Sequence, residues 1–98
     1  MDTSRLPLRQ LVLDVLKPHK PNIVDFGNAL CNEETLSNVN ITVYAVDEKT
    51  ESVKVMLEGE DIDFSRIKDR IEHNGAVVHS IDKVVYGSST IPETESKV

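Results

Sequence analysis

The stretch VNITVYAVDEKTESVKVMLEGEDIDF, residues 39–64, decides the fold. Apolar and polar side chains alternate along residues 39–46 and again along residues 52–58, which is the period expected of half-buried strands. The polar segment DEKTE, residues 47–51, separates the two runs, so they are predicted to pair as a hairpin. Each strand of this hairpin has one apolar face.

A helix is predicted directly after the hairpin, in IDFSRIKDRIEHNG, residues 62–75. Asp63 is a good N-cap, because its carboxylate can accept a hydrogen bond from a backbone amide in the first turn. Gly75 can adopt the left-handed conformation that ends a helix. The helical spacing brings three apolar side chains to one face: Phe64, Ile67 and Ile71.

Three further segments complete the pattern. LVLDVL, residues 11–16, is a short apolar run rich in branched residues and predicts a buried strand that ends before Pro18. Residues 22–31 predict a helix, because Asn22 can cap it and apolar residues recur at i, i+3 and i+7. AVVHSIDKVVY, residues 76–86, predicts the last strand.

The order of strand, helix, strand, strand, helix and strand is that of the α+β, ferredoxin-like βαββαβ fold. Right-handed crossovers predict a four-stranded antiparallel sheet of order 4-1-3-2 with both helices on one face, which leaves the opposite face open. We expect one domain at residues 8–87, preceded by a flexible N-terminus at residues 1–7. Residues 88–98, rich in Ser, Thr, Pro and charged residues, are expected to form a disordered tail.

The composition narrows the class of function. A chain of 98 residues, 39% of them hydrophobic, can bury one modest core. The net charge of −6 repels a phosphate backbone, and the four aromatic residues offer little stacking surface, so nucleic-acid binding is disfavoured. No segment approaches the roughly 20 apolar residues of a membrane span. Because Cys31 is the one cysteine, no internal disulfide can form, and we expect a soluble, cytoplasmic protein.

Three segments together resemble the small archaeal family known as domain of unknown function 211. They are LDVLKPHKP at residues 13–21, the hairpin stretch at residues 39–64 and VVHSIDKVVYG at residues 77–87. The resemblance implies a ferredoxin-like fold and assembly into a homo-oligomeric ring, with no established enzymatic activity. The sequence departs from the family in CNEETLSN, residues 31–38, where a more apolar helix end is usual.

His19 and His79 are the first candidate ligand residues. We expect strands 1 and 3 to run parallel, which would bring both histidines and residues 58–61 toward one end of the sheet. Imidazole nitrogens and carboxylate oxygens together can bind zinc or another transition metal. The alternative is that His19 is a solvated turn residue and His79 bonds a neighbouring backbone group. No HExxH, CxxC or EF-hand spacing is present, so this hypothesis depends on proximity alone.

The second candidate site is a set of carboxylates on or near the open face of the sheet. Asp14 interrupts an apolar strand, and a carboxylate there is costly unless it is solvated, paired or coordinated. The predicted calcium or magnesium ligands are Asp14, Glu58, Asp61 and Asp82. The alternative is that Lys54 or Lys83 pairs with Asp14.

These observations predict a non-catalytic homo-oligomer that binds a divalent cation or a small ligand in a regulatory or scaffolding role. The alternative is an enzyme of unknown reaction that uses His19 and His79 as acid and base, with Glu58 or Asp61 nearby. A purely structural interaction protein is the third hypothesis.

The last strand is predicted to carry the contact between subunits. Its end, KVVYG, brings Val84, Val85 and Tyr86 together beside a single charged residue, Lys83. An edge strand with unpaired backbone groups must be protected or used, and clustered apolar residues at such an edge indicate an interface.

Overall fold

The computed structural model describes residues 5–87 of the chain. Its elements are β1 (Leu8–Pro18), α1 (Ile23–Leu30), β2 (Leu36–Val46), β3 (Thr50–Gly59), α2 (Phe64–His73) and β4 (Val77–Tyr86). The predicted order of strands and helices is confirmed. The predicted tail at residues 88–98, and the first four residues of the predicted flexible N-terminus, lie outside the described residues.

The four strands form one antiparallel sheet in the order β2-β3-β1-β4, which is the predicted order read from the other edge. β1 pairs with β3 in the antiparallel sense, with Asp14 opposite Lys54. The prediction that these two strands run parallel is therefore wrong. β1 and β2 lie on either side of β3, and both run antiparallel to it. As a result, the end of β1 meets the start of β3 and not its end.

Both helices contribute to a core on one face of the sheet. Phe26 of α1 and Ile71 of α2 are fully buried in the same cluster as the inward side chains of β1 and β3. Those strand residues are Leu11, Leu13, Val15, Val53, Val55 and Leu57. Each such side chain contributes about 1.5–3 kcal/mol by leaving water, so this face holds the domain together. The arrangement is consistent with a ferredoxin-like fold.

The helix ends follow the predicted capping residues. Asn22 Oδ1 accepts a hydrogen bond from the Asp25 backbone amide at 2.8 Å, and Asp63 Oδ1 accepts one from the Arg66 amide at 3.4 Å. Gly75, beyond the end of α2, has φ of +84°, as expected of a left-handed cap. Within residues 5–87 neither helix is long and apolar enough to cross a membrane.

Candidate functional site

A polar cluster occupies the centre of the open face of the sheet, opposite the helices. The strand register aligns Thr42, Lys54, Asp14 and Ser80 in a row across the four strands. Because side chains alternate along a strand, this row faces away from the core to which Leu13 and Val55 belong. We define the central polar cluster by its hydrogen-bonded members: Asp14, Tyr44, Lys54, Ser80 and Asp82.

Each carboxylate of the central polar cluster has its own donor. The Tyr44 hydroxyl donates to Asp14 Oδ1 at 2.5 Å. The Lys54 ammonium donates to Asp82 Oδ2 at 2.6 Å, and the Ser80 hydroxyl donates to Asp82 Oδ1 at 2.7 Å. Lys54 Nζ also lies 5.7 Å from the centre of the Tyr44 ring, where the ring face attracts a cation. Asp14 and Asp82 therefore engage protein donors and are not aimed at a shared ligand.

The members of the central polar cluster shift one another's pKa values. The hydrogen bond from Lys54, assisted by Ser80, holds the pKa of Asp82 below its ordinary value. The same carboxylate raises the pKa of Lys54. The Asp14 carboxylate raises the pKa of Tyr44, because it accepts the hydroxyl proton in a hydrogen bond that ionisation would break. At neutral pH the cluster is an ion pair plus a carboxylate bound to a neutral phenol.

The predicted carboxylate ligands do not converge. Asp14 and Asp82 belong to the central polar cluster, whereas Glu58 lies four residues beyond Lys54 on β3, about 13 Å away at the rise of a strand. Asp61 follows β3 and lies 3.6 Å from Arg5. Within residues 5–87 no three His, Cys, Asp or Glu side chains are grouped so as to hold a metal ion. Calcium or magnesium binding by these residues stays a prediction.

His79 lies closer to the carboxylate site than to its predicted partner His19. It lines a small pocket of about 190 Å³ on the open face, together with Asp14 and Tyr44. Sequence reasoning had assigned His79 and Asp14 to separate sites. The antiparallel register of β1 and β4 brings them together, because the bulge beside His79 lies opposite Asp14 and Val15.

His19 belongs to an ion-paired group at the end of β1. Its Nδ1 lies 2.9 Å from Glu51 Oε2, and its Nε2 lies 2.9 Å from the Glu48 backbone carbonyl. Glu51 Oε1 in turn lies 3.1 Å from Lys17 Nζ. His19 is therefore at the opposite end of the sheet from Glu58 and Asp61, and the prediction that it lies with them is wrong.

Lys17 is the residue of this group that sequence reasoning missed. Its side chain is completely buried, and its ammonium donates to the carbonyls of Pro18 and Pro21 at 2.7 and 2.5 Å. The signal was present, because Lys17 continues the inward series of Leu13 and Val15 at the period of a strand. A buried ammonium needs acceptors, and the proline-rich loop and the carboxylate of Glu51 supply them. We call Lys17, His19 and Glu51 the loop ion group.

The loop ion group predicts a specific dependence of stability on pH. The Glu51 carboxylate, followed by the Glu48 carbonyl, raises the pKa of His19 above its ordinary value of 6.5. The folded protein then binds the proton more tightly than the unfolded chain, so this contribution is complete below pH 6.5 and is lost as pH rises through the folded pKa. We expect the free energy of unfolding, measured in urea, to decline as the pH rises above 6.5.

His19→Gln provides the control for this pH dependence. The variant should lose the component of the decline that His19 contributes. Glu51→Gln should lose part of that component, because it removes the carboxylate that raises the His19 pKa most and leaves the Glu48 carbonyl in place. The contribution of Glu51 to stability changes with pH in the opposite direction. Hydrogen bonds from His19 and Lys17 lower the pKa of Glu51, so its contribution is lost as the pH falls through that lowered pKa. A pH profile of His19→Gln parallel to that of the wild type would contradict the assignment.

A second ion-paired group joins the helices to the loop before β2. Glu33 is almost fully buried and accepts hydrogen bonds from Arg66 Nε at 3.0 Å and Arg70 Nε at 2.9 Å, with a further bond from Arg70 Nη2. The Arg66 and Arg70 guanidinium groups hold the pKa of Glu33 below its ordinary value. The sequence did not predict this group, because Glu33 is separated from Arg66 by 33 positions and from Arg70 by 37. A pattern of neighbouring residues cannot reveal a contact over such a separation.

A cleft of about 720 Å³ lies beside this group at the start of α2. Five of the six charged side chains that line it, all except Glu34, are engaged within the fold. Glu33 pairs with Arg66 as well as with Arg70, Asp63 caps the helix, and Asp61 pairs with Arg5. Among residues 5–87 no buried side-chain nitrogen or oxygen lacks a hydrogen-bond partner. Among the described residues, the cleft thus offers no buried polar side chain without a partner that would indicate a ligand.

The sheet and its polar cluster define a class: a small α+β protein whose four-stranded antiparallel sheet has helices on one face and an ion-paired open face. The chain belongs to domain-of-unknown-function family 211, described as "Uncharacterized ArCR", whose model matches residues 9–98. The resemblance predicted from the sequence is confirmed. A similar curated protein is "Uncharacterized protein MJ0319" of Methanocaldococcus jannaschii, 46% identical over 89 residues, which cover 91% of this chain and 92% of the relative.

Proposed function

We propose that this protein is a non-catalytic subunit of a homo-oligomer with a scaffolding or regulatory role, and that β4 carries the contact between subunits. One observation carries the proposal. Among residues 5–87, β4 is an edge strand of the sheet. Four of its ten residues are large apolar side chains about half exposed: Val77 (56%), Ile81 (51%), Val84 (46%) and Tyr86 (51%).

The edge position makes this exposure costly for an isolated subunit. A free edge strand presents unpaired backbone amides and carbonyls, and soluble monomers protect such edges with charges, prolines or covering loops. β4 contains only Asp82 and Lys83 as charged residues, and Asp82 is engaged by Lys54 inside its own subunit. Pairing with a second copy satisfies the backbone groups and removes the apolar side chains from water.

The alternative of an acid–base enzyme has less support. Both ring nitrogens of His19 are engaged, one by Glu51 and one by the Glu48 carbonyl, so the ring would have to leave both partners before it could transfer a proton. His79 lines a pocket on the open face, whereas His19 lies in the loop beyond β1. The matching family and the similar curated protein are described only as uncharacterised.

The proposal predicts an assembly that edge charges dissociate. Light scattering at micromolar concentration should give several times the chain mass of 11.0 kDa. Val84→Glu combined with Tyr86→Glu should reduce the mass to that of one chain, because burial of a carboxylate at the contact is costly. Native mass spectrometry of the same samples should count the subunits.

Met56→Glu is the matched control for the edge. Met56 is also an exposed large apolar residue, but it lies on the open face of the central strand β3. The variant should keep the mass of the wild type. A monomeric wild-type protein would refute the proposed function, and dissociation by Met56→Glu in place of the edge variant would move the contact to the open face.

A further inference from the structure

We propose that His19 is a pH-dependent latch: its protonated ring holds the turn at residues 47–49 against the loop at residues 19–22, and loss of one proton releases the turn. The turn joins β2 to β3, and the loop joins β1 to α1. This inference concerns a movement within one subunit, so it does not depend on the proposed self-association.

His19 lies where the sheet no longer holds these two segments together. The paired residues of β1 and β3 end at Pro18 and Thr50. Beyond that pair, within residues 5–87, the turn and the loop are joined by the hydrogen bond between His19 Nε2 and the Glu48 carbonyl, at 2.9 Å. The hydrogen bond from the Asp47 amide to the Thr50 carbonyl, at 2.7 Å, stays inside the hairpin. Loss of the contact with His19 therefore frees the turn while the strand pairing remains.

The partners of His19 require both ring nitrogens to carry protons. Nε2 faces a backbone carbonyl, which only accepts hydrogen bonds, and Nδ1 lies 2.9 Å from Glu51 Oε2. The Glu51 carboxyl is ionised, because its other oxygen lies 3.1 Å from the buried Lys17 ammonium, and an ionised carboxylate also only accepts. Two acceptors need two donors, so His19 is an imidazolium ion in this arrangement.

The groups that face the ring favour its protonated form. The Glu51 carboxylate of β3 raises the pKa of His19 most, and the carbonyls of Glu48 and Asp47 in the turn raise it further, against an opposing effect of desolvation. Lys17 of β1 lies on the other oxygen of Glu51. The proton is therefore lost above the ordinary value of 6.5, in the range where histidine serves as a physiological switch.

Loss of one proton breaks the contact with the turn and keeps the contact with Glu51. A neutral imidazole has one N–H and one lone pair, so only one of the two hydrogen bonds can remain. A hydrogen bond to a charged carboxylate is stronger than one to a neutral carbonyl, so the proton stays on Nδ1. The lone pair of Nε2 then faces the Glu48 carbonyl, and the repulsion between these two acceptors separates the turn from the loop.

Selective isotope labelling tests this inference in the intact protein. Glu48–Lys49 is the one Glu–Lys pair in the sequence, so carbonyl-¹³C glutamate and ¹⁵N lysine together label a single peptide bond for NMR. We expect the Glu48 carbonyl signal to shift as the pH rises, with a midpoint above 6.5 that equals the midpoint of the His19 ring. The ¹⁵N signals of the ring should show two protonated nitrogens at low pH and protonated Nδ1 alone at high pH.

Two histidine variants provide the controls. His19→Gln should remove the shift of the Glu48 carbonyl signal over this pH range, because glutamine does not titrate. The side chain of His19 is 42% exposed, so this replacement leaves the core intact. His73→Gln makes the same substitution at the end of α2 and should keep the wild-type shift.

Three results would overturn the inference. A Glu48 carbonyl signal that stays constant while His19 titrates would show that the ring does not hold the turn. A proton that remains on Nε2 at high pH would show that the contact with Glu51 is the one that breaks. A shift that persists in His19→Gln would assign the pH dependence to another group. None of these results bears on the mass of the assembly, so the proposed function is tested separately.

Discussion

Replacing Gly59 by alanine is expected to lower the free energy of unfolding by about 3 kcal/mol, at the upper end of the usual cost of overpacking. Gly59 ends β3 and is buried against the loop that enters β2. A Cβ built there would lie 2.2 Å from the Thr35 backbone oxygen. That oxygen also accepts a hydrogen bond from the Glu60 amide at 3.0 Å, so the strand and the loop cannot separate without losing it.

Gly27→Ala is the matched control, since it makes the same chemical change in α1. Its Cβ would meet only the Ile41 Cδ1 methyl group at 3.4 Å, and that methyl group ends a flexible side chain. Alanine is favoured over glycine inside a helix by about 0.5–1 kcal/mol, so this variant should be neutral or slightly stabilised. Urea denaturation at one fixed protein concentration measures both effects. Equal effects of the two substitutions would contradict the close approach at Gly59.

Replacing Lys17 by methionine is expected to destabilise the fold by about 3 kcal/mol, the lower end of the range for breaking a buried ion pair. Methionine keeps most of the side-chain volume but removes the ammonium. The carbonyls of Pro18 and Pro21 and one oxygen of Glu51 then lose their donor at the end of β1. The cost falls toward the lower end because Glu51 keeps its contact with His19.

Lys68→Met, at an exposed position in α2, is the control for the loss of a lysine charge. Surface changes of this kind usually alter stability by less than about 0.5 kcal/mol. The urea midpoint of Lys17→Met should therefore be lower than that of the wild type, whereas the midpoint of Lys68→Met should be close to it. A Lys17→Met midpoint equal to that of Lys68→Met would show that the buried ammonium is replaceable by an apolar group.

The alternation of apolar residues predicted most of the fold. The period of two along residues 39–46 and 52–58 identified the hairpin, and the caps Asn22 and Asp63 identified the helix starts, because these signals depend on neighbouring residues alone. The order of the strands followed from their number and from the short connections between them. The predicted direction of β3 relative to β1 was wrong because these two strands are not joined directly. β1 and β2 are joined by the crossover and run parallel, and the hairpin makes β3 antiparallel to β2, so β3 is antiparallel to β1 as well.

The sequence by itself therefore determined the α+β architecture, the strand order, the helix caps and the family. Only the tertiary structure decided which charged groups meet. The pairs His19–Glu51, Tyr44–Asp14 and Lys54–Asp82 join residues 32, 30 and 28 positions apart. The strand register is set by burial of the apolar side chains, at about 25 cal/mol for each Å² removed from water. Exposed polar contacts are too weak to choose a register, so charged side chains pair with whatever the packed core brings beside them.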